Sequence, residues 1–132
     1  MKEQCYKEIC DLHQVFEDWF IGRVPKDDFS YLPQVLSDDF EIVFPGGEIF
    51  SRQQIIDIMQ KTHGRYAHMP FRIEIKNYRS RSLSDTLHLV TYEEWQVKDN
   101  VDEVKVSTAI FRKNDSMPCG VEWLHVHEVY RT

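Results

Sequence analysis

The most informative stretch of the sequence is Val121-Glu122-Trp123-Leu124-His125-Val126-His127-Glu128-Val129-Tyr130. Its side chains alternate with a period of two, which is typical of a β-strand in a sheet. Strict alternation puts one set on one face and the rest on the other, namely Leu124, Val126, Glu128 and Tyr130 against Trp123, His125, His127 and Val129. The aliphatic set suits a face covered by helices, and the aromatic and imidazole set suits a half-wet contact between subunits.

Other stretches have the same strand pattern. Residues 71–76 alternate apolar and charged side chains, and residues 87–97 and 103–112 follow with turn residues between them. Together with the closing strand they predict an antiparallel meander of four strands. A shorter strand over residues 40–44 turns back into a partner over residues 48–50.

The first half of the chain also carries helical periodicity. Apolar side chains at helical spacing predict a helix over about residues 3–23, stopped by Pro25, and a short second helix through Leu36. Residues 51–54 have the spacing of a capping box, which opens a third helix ended near Gly64. Three helices followed by a long antiparallel sheet define an α+β fold with helices covering one face of the sheet.

Composition narrows the class of protein. The 132 residues are 42% hydrophobic and 29% charged, which predicts a single globular domain over residues 1–132. The net charge of −6 argues against a nucleic-acid partner, because phosphate binding requires clustered Lys and Arg. Cys5, Cys10 and Cys119 form no paired motif, and no stretch has the length and character of a membrane span, so we expect a cytoplasmic protein without membrane association.

Five stretches of the sequence resemble those of a known family. They are Phe44-Pro45-Gly46-Gly47 ahead of Ser51-Arg52-Gln53-Gln54, Thr91-Tyr92-Glu93-Glu94-Trp95, Ser107-Thr108-Ala109-Ile110-Phe111-Arg112, and Trp123-Leu124-His125-Val126-His127-Glu128. With the order of elements, they resemble the nuclear-transport-factor-2-like superfamily, the cone-shaped α+β barrel. Within it the chain is most similar to the SnoaL-like branch and to the association domain of calcium/calmodulin-dependent kinase.

The resemblance implies a pocket between the first helix and the concave face of a strongly curved sheet. By analogy with the kinase association domain, the strand face with Thr91, Glu93 and Trp95 points into that pocket. Desolvation would then raise the pKa of Glu93, and such a carboxylate can serve as a general acid or base. The alternative is an ordinary salt bridge from Glu93 to Arg112 or Arg72.

Further site residues are predicted around the same pocket. Glu128 is expected at the rim as a second catalytic carboxylate beside Glu93. Thr108 is expected to offer a hydroxyl, Trp19 to form the ceiling, and Tyr66 to lie on a loop over the ligand. The alternatives are a β-branched strand residue for Thr108, a core residue for Trp19 and plain surface for Tyr66.

The two histidines of the closing strand have two interpretations. His125 and His127 stand on one face at a spacing compatible with a metal pair, which requires a third ligand such as His88 or Glu94. We instead expect them to form, with Trp123, the convex-face contact of a homodimer, and we expect neither a metal nor another cofactor.

Two functions therefore remain open. One is binding of a small, mostly apolar molecule, with any catalysis being acid–base chemistry of lyase, cyclase or isomerase type. The other is a non-catalytic assembly module that acts through the convex face. In the steroid isomerase branch a carboxylate base stands just before the proline that matches Pro45, and that position is Phe44 here. Isomerase chemistry at that place is not expected, and the sequence leaves open whether the chain is an enzyme.

Overall fold

A computed structural model describes residues 1–132 of the protein. It has three helices and a six-stranded sheet, and four of the six strands follow the last helix. The elements are α1 (Lys2–Phe20), α2 (Tyr31–Val35), β1 (Leu36–Val43), β2 (Ile49–Ser51), α3 (Arg52–Gln60), β3 (Phe71–Ser82), β4 (Leu87–Lys98), β5 (Val101–Lys113) and β6 (Val121–Tyr130). The sheet is curved and unclosed, and the predicted α+β fold is confirmed.

The strand order is β2-β1-β6-β5-β4-β3. The meander from β3 to β6 is antiparallel, as predicted. β1 differs, because it starts at Leu36, four residues earlier than expected, and pairs with β6 in parallel, with Ile42 opposite Val126. A single parallel pair places the first strand of the chain beside the last one, in the middle of the sheet.

Helix α1 ends at Phe20, ahead of the predicted stop at Pro25. Gly22 has φ of +76° and its N–H donates to the Trp19 carbonyl, while the Arg23 N–H donates to the Asp18 carbonyl. These two bonds form a Schellman motif, in which a left-handed residue after the helix satisfies its last carbonyl groups. The glycine therefore ends the helix, and the proline lies in the loop beyond it.

Helix α3 begins with the capping box that its sequence predicts. The Ser51 side chain accepts a hydrogen bond from the Gln54 backbone N–H, and the Gln54 side chain accepts one from the Ser51 N–H. The helix ends at Gln60, and turns extend from there through Gly64, whose φ is +71°. The cap fixes where α3 starts and therefore which of its side chains face the sheet.

A bulge interrupts the alternation of β6. Ile110 of β5 pairs with His125, but the next residue, Phe111, pairs with Trp123, so Leu124 is the extra residue. Two residues of one strand opposing one on its neighbour shift the side chains beyond them by one face. Trp123 therefore lies on the same face as Val126, contrary to strict alternation.

The main hydrophobic core lies between the helices and the concave face of the sheet. It includes Ile9 and Leu12 of α1, Ile55 of α3, and Phe111 and Trp123 of the sheet. No helix is long and apolar enough to cross a membrane. The helices cover the concave face, and the convex face of β3 to β6 is left open to solvent.

Candidate active site

A partly enclosed cavity of about 110 Å³ lies between α1 and the concave face of the sheet. Thirteen of its eighteen lining residues are hydrophobic, so its walls favour an apolar molecule. The apolar walls come from all three helices, from β1 and β6, and from the turn after β1, with Leu12, Phe16, Phe20, Leu32, Leu36, Phe40, Ile42, Phe44, Ile55, Met59, Trp123 and Val126. Such a cavity far exceeds the space one water needs, about 10–15 Å³.

The polar part of the lining is a cluster of buried charged groups. The His13 Nε2 atom of α1 lies 3.1 Å from Oε1 of Glu94 on β4. The Gln96 amide donates to the other oxygen of Glu94 at 2.7 Å. The side chains of His13 and Glu94 are only 6% and 5% exposed, so this is an ion pair withdrawn from water.

The protonation states follow from this packing. Burial favours a neutral Glu94, but Lys105 and His13 outweigh it and hold the pKa of Glu94 well below its usual range. Burial likewise disfavours a charged His13, yet the Glu94 charge and hydrogen bond raise the pKa of His13 above its ordinary value. The His13 Nδ1 atom lies 2.7 Å from the Ile9 carbonyl, which orients the ring. Both shifts favour an imidazolium paired with a carboxylate.

Lys105 and Glu128 stand next to that pair. The Lys105 ammonium lies 3.9 Å from Oε2 of Glu94 and 3.6 Å from Oε2 of Glu128. Burial raises the pKa of Glu128, and the Lys105 charge only partly offsets that rise. Tyr92 also lines the cavity, and burial raises the pKa of its hydroxyl well above the usual value. Both shifts favour the protonated form, a property useful in a general acid.

Another buried carboxylate, Glu8, lies behind the cavity wall. Glu8 of α1 is fully buried and accepts hydrogen bonds from the Tyr31 hydroxyl at 3.0 Å and the Trp123 indole at 3.2 Å. Burial raises the pKa of Glu8 to about 7 despite those two donors. Glu8 is not among the lining residues, and its bond to Trp123 orients the indole that forms part of the wall.

The prediction that Thr91, Glu93 and Trp95 of β4 face the cavity is wrong. The cavity is lined by Tyr92, Glu94 and Gln96, and because side chains alternate along a strand, Thr91, Glu93 and Trp95 lie on the convex face. Glu93 there accepts a hydrogen bond from the Trp95 indole at 2.9 Å and pairs with Arg131 at 3.1 Å. The Trp95 bond and the Arg131 charge lower the pKa of Glu93, opposite to the expected rise. The salt-bridge alternative holds, with Arg131 in place of Arg112 or Arg72.

The remaining predicted site residues divide between the cavity and other places. Glu128 lines the cavity, as its position in β6 suggested. Thr108 pairs with Thr91 and His127 on the convex side, and so does not reach the cavity. Trp19 donates to the Met59 carbonyl at 2.9 Å and lies against Phe29 in a smaller neighbouring pocket. Tyr66 stacks on Phe71 with ring centroids 4.6 Å apart, outside the cavity lining.

The side chains of β6 are divided between the two faces of the sheet differently from the alternation of the sequence. His125 and His127 are absent from the cavity lining and lie on the convex face, but the bulge moves Trp123 into the core, where it is 2% exposed. Both suggested third metal ligands, His88 and Glu94, belong to the concave side of β4, away from these histidines. No group of three His, Cys, Asp or Glu side chains is arranged to hold a metal ion.

Sequence reasoning missed His13, Glu94 and Lys105. His13 lies on the apolar stripe of α1, four residues from Ile9. An imidazole is unusual at such a buried position unless it has a hydrogen-bond partner. Lys105 begins the series Lys105, Ser107, Ala109 and Phe111, whose small and buried members mark the covered face of β5. The signal in the sequence was a polar residue at a position whose helical or strand periodicity otherwise predicts a buried apolar side chain.

Comparisons with known proteins agree with this architecture. An NTF2-like protein of unknown function from Pseudomonas aeruginosa is 21% identical, with a TM-score of 0.86 over 98% of this chain and 99% of that one. The CaMKII hub of S. rosetta is 11% identical, with a TM-score of 0.76 over 98% and 96% of the two chains. A putative ketosteroid isomerase from Shewanella frigidimarina is 12% identical, with a TM-score of 0.62 over 92% and 91%.

At these identities the likenesses show the fold alone, which is that of the nuclear-transport-factor-2-like superfamily. No curated protein sequence matches the chain. The family model described as sucrose-6-phosphate phosphohydrolase C-terminal matches residues 5–132. Since that match spans nearly the whole chain, the protein belongs to the sucrose-6-phosphate phosphohydrolase C-terminal family.

Proposed function

We propose that the protein binds a small, mostly apolar molecule in the cavity on the concave face. This proposal rests on one observation: the cavity has apolar walls and a single compact cluster of polar side chains. The cluster consists of His13, Tyr92, Glu94, Lys105 and Glu128. Ligand sites typically combine an apolar lining with a few polar groups that orient the ligand. The walls supply contact area here, and Glu128, Tyr92 and Lys105 supply orientation.

The family's description suggests a second ligand, a phosphorylated sugar, which this cavity suits poorly. A sugar carries a hydroxyl on most of its carbons, and each one costs free energy when it is buried without a hydrogen-bond partner. The lining is mostly hydrophobic, and its polar groups are gathered at one place. We therefore assign the cavity to a molecule with an apolar body and a single polar group.

The catalytic form of this proposal is acid–base chemistry of lyase, cyclase or isomerase type, with no cofactor taking part. Glu128 is the candidate acid, because burial raises its pKa and it lines the cavity. The His13–Glu94 pair would stabilise charge that develops on the bound molecule. Phe44, at the position of the isomerase base, lines the cavity with an aromatic ring and offers no proton acceptor. Glu93 takes no part, since it pairs with Arg131 on the other face.

A matched pair of variants on opposite faces tests the site. Titration calorimetry with p-cresol, an apolar ring with one hydroxyl, should detect one molecule per chain. Glu128→Gln should weaken that binding about tenfold, the loss of one hydrogen bond to a charged or acidic group. Glu93→Gln is the control and should leave the affinity within about twofold. Absence of binding at millimolar p-cresol, or an equal loss in both variants, would contradict the proposal.

The convex face favours a second candidate function, a self-association module. No helix covers this face, and it presents half-buried Leu89, Thr91 and Ile110 beside His125 and the exposed Val129. The S. rosetta structure of similar fold is a CaMKII hub, a comparison consistent with assembly. We propose that two copies pair through this face, with His125 and His127 in the contact and Trp123 excluded from it.

Sedimentation analysis separates this candidate from a monomer. Thr108 lies between Thr91 and His127 in the sheet register, at the middle of the convex face. Thr108→Lys should convert a dimer into a monomer, because it buries a charge at the centre of the contact. Glu48→Lys, an exposed position away from this face, serves as the control. A dimer that survives Thr108→Lys would rule out pairing through the convex face.

A further inference from the structure

We propose that the cavity selects small apolar monocarboxylates, with the ligand's carboxylate bound by the Lys105 ammonium. This inference rests on the proposed function and adds the chemical class of the ligand. It follows from three features of the site: the unmet hydrogen-bonding capacity of Lys105, the charge balance of the cluster, and the size and character of the walls.

Lys105 has ammonium N–H donors without an acceptor at ordinary hydrogen-bond distance. Its side chain is 19% exposed, and its ammonium carries three N–H groups. The carboxylate oxygens nearest to it lie at 3.6 and 3.9 Å, beyond the 2.7–3.2 Å of ordinary N–H···O bonds. A largely buried ammonium without a direct hydrogen bond is costly, and an acceptor placed in the cavity would relieve that cost.

The charge balance leaves room for one anion. Glu94 is matched by His13 and further held by Gln96, so Lys105 depends on Glu128 for its counter-charge. A ligand carboxylate can replace Glu128 in that role when Glu128 takes up a proton, which its burial favours. The titratable groups around Lys105 are His13 from α1, Tyr92 and Glu94 from β4, Glu103 from its own strand, and Glu128 and Tyr130 from β6. Binding is thereby linked to uptake of about one proton.

The walls of the cavity determine the size and polarity of the rest of the ligand. A dry cavity of about 150 Å³ lined by Leu, Ile and Phe is known to bind benzene, and the present one is of the same order at about 110 Å³. Phe40, Phe44 and Trp123 form part of its apolar border. A second charge on the ligand would meet these apolar walls without a partner, which excludes dicarboxylates.

Three probes of equal ring size test the inference by titration calorimetry: benzoate, benzamide and toluene. In the wild-type protein at pH 6, benzoate should bind at least about tenfold more tightly than benzamide, the gain expected of a charge-assisted hydrogen bond. Lys105→Met should remove that preference and leave toluene binding within about threefold. Lys61→Met, at an exposed position after α3, is the matched control and should keep the preference.

Proton uptake gives an independent reading. Benzoate titrations in two buffers of different ionisation enthalpy should report about one proton taken up, and the affinity should fall as the pH rises from 6 to 8. Benzoate binding no more tightly than benzamide to the wild-type protein would overturn the inference whether or not Lys105→Met folds. If benzamide and toluene still bind, the proposed function survives that result. If none of the three binds, both fail.

Discussion

Replacing Glu94 by Gln probes the cluster at its centre. The carboxylate lies 3.1 Å from His13, 2.7 Å from Gln96 and 3.9 Å from Lys105, and it is only 5% exposed. At about 4 Å and an effective dielectric constant of about 20, each attraction amounts to about 4 kcal/mol before desolvation is counted. Gln keeps the shape but leaves two cations with one carboxylate, and breaking a buried pair in this way costs about 3–5 kcal/mol.

Urea unfolding measures this loss. With a slope of about 2 kcal/mol per M, the midpoint of Glu94→Gln should fall by about 1.5–2.5 M relative to wild type. Glu48→Gln, at an exposed position, should change the free energy of unfolding by less than about 0.5 kcal/mol. A loss below about 1 kcal/mol in Glu94→Gln would refute the buried ion cluster, since it would mean that solvent screens these charges.

The pH dependence sharpens the same experiment. Glu94 has a lowered pKa in the folded state, so its stabilisation is present above its ordinary value of 4.5 and is lost as the pH falls toward the folded value. His13 has a raised pKa, so its share is present below 6.5 and is lost as the pH rises through the folded value. The difference between wild type and Glu94→Gln should therefore be largest between about pH 5 and 6.5 and smaller on either side.

Three further predictions follow from the same packing. Glu8 has its pKa raised from 4.5 to about 7, so the folded protein should lose up to about 3 kcal/mol as the pH rises from 4.5 through 7, and Glu8→Gln should flatten this slope in denaturation curves. Trp123→Phe removes the indole donor to Glu8 and should lower the free energy of unfolding by about 1–3 kcal/mol, whereas a change below 0.5 kcal/mol would show that water replaces the bond. Ser51→Ala removes the cap of α3 and should cost about 0.5–2 kcal/mol by thermal unfolding, with the exposed Gln53→Ala as a control that keeps the capping box.

The elements of this fold could be predicted because each has a strong local signal. The alternation of residues 87–97 and 103–112 and the capping box at Ser51 depend on neighbouring residues alone, and all of them are found in the structure. The parallel pairing of β1 with β6 could not be predicted in this way. It joins residues about 80 positions apart, and no local pattern records which edge a strand will use.

The cavity was assigned to the wrong face of β4 for a physical reason. Both faces of this strand carry apolar and acidic side chains, so its alternation gives no preference for the face with Glu93 over the face with Glu94. The partners decide the matter: His13 and Lys105 offer cations to Glu94 from two other elements, and Arg131 offers one to Glu93 at the surface. Such partners are visible only once the elements are packed.

The bulge in β6 explains the remaining error. Glu128 lies on the covered face because regular pairing links it to Ser107 of β5. Trp123 was placed on the wrong face because Leu124 adds one residue between the two halves of the strand, and neither a Gly nor a Pro marks that point in the sequence. Alternation is reliable up to the first bulge and reverses beyond it.

The proposed functional site is the cavity on the concave face. A crystal soaked with bromobenzene would show whether an apolar molecule binds there, because bromine is located by its anomalous scattering and the probe carries no charge. We expect one strong bromine peak inside the cavity, between Phe40, Trp123 and Val126. An empty cavity with bromine bound instead on the convex face, around Thr91 and Ile110, would contradict that proposal.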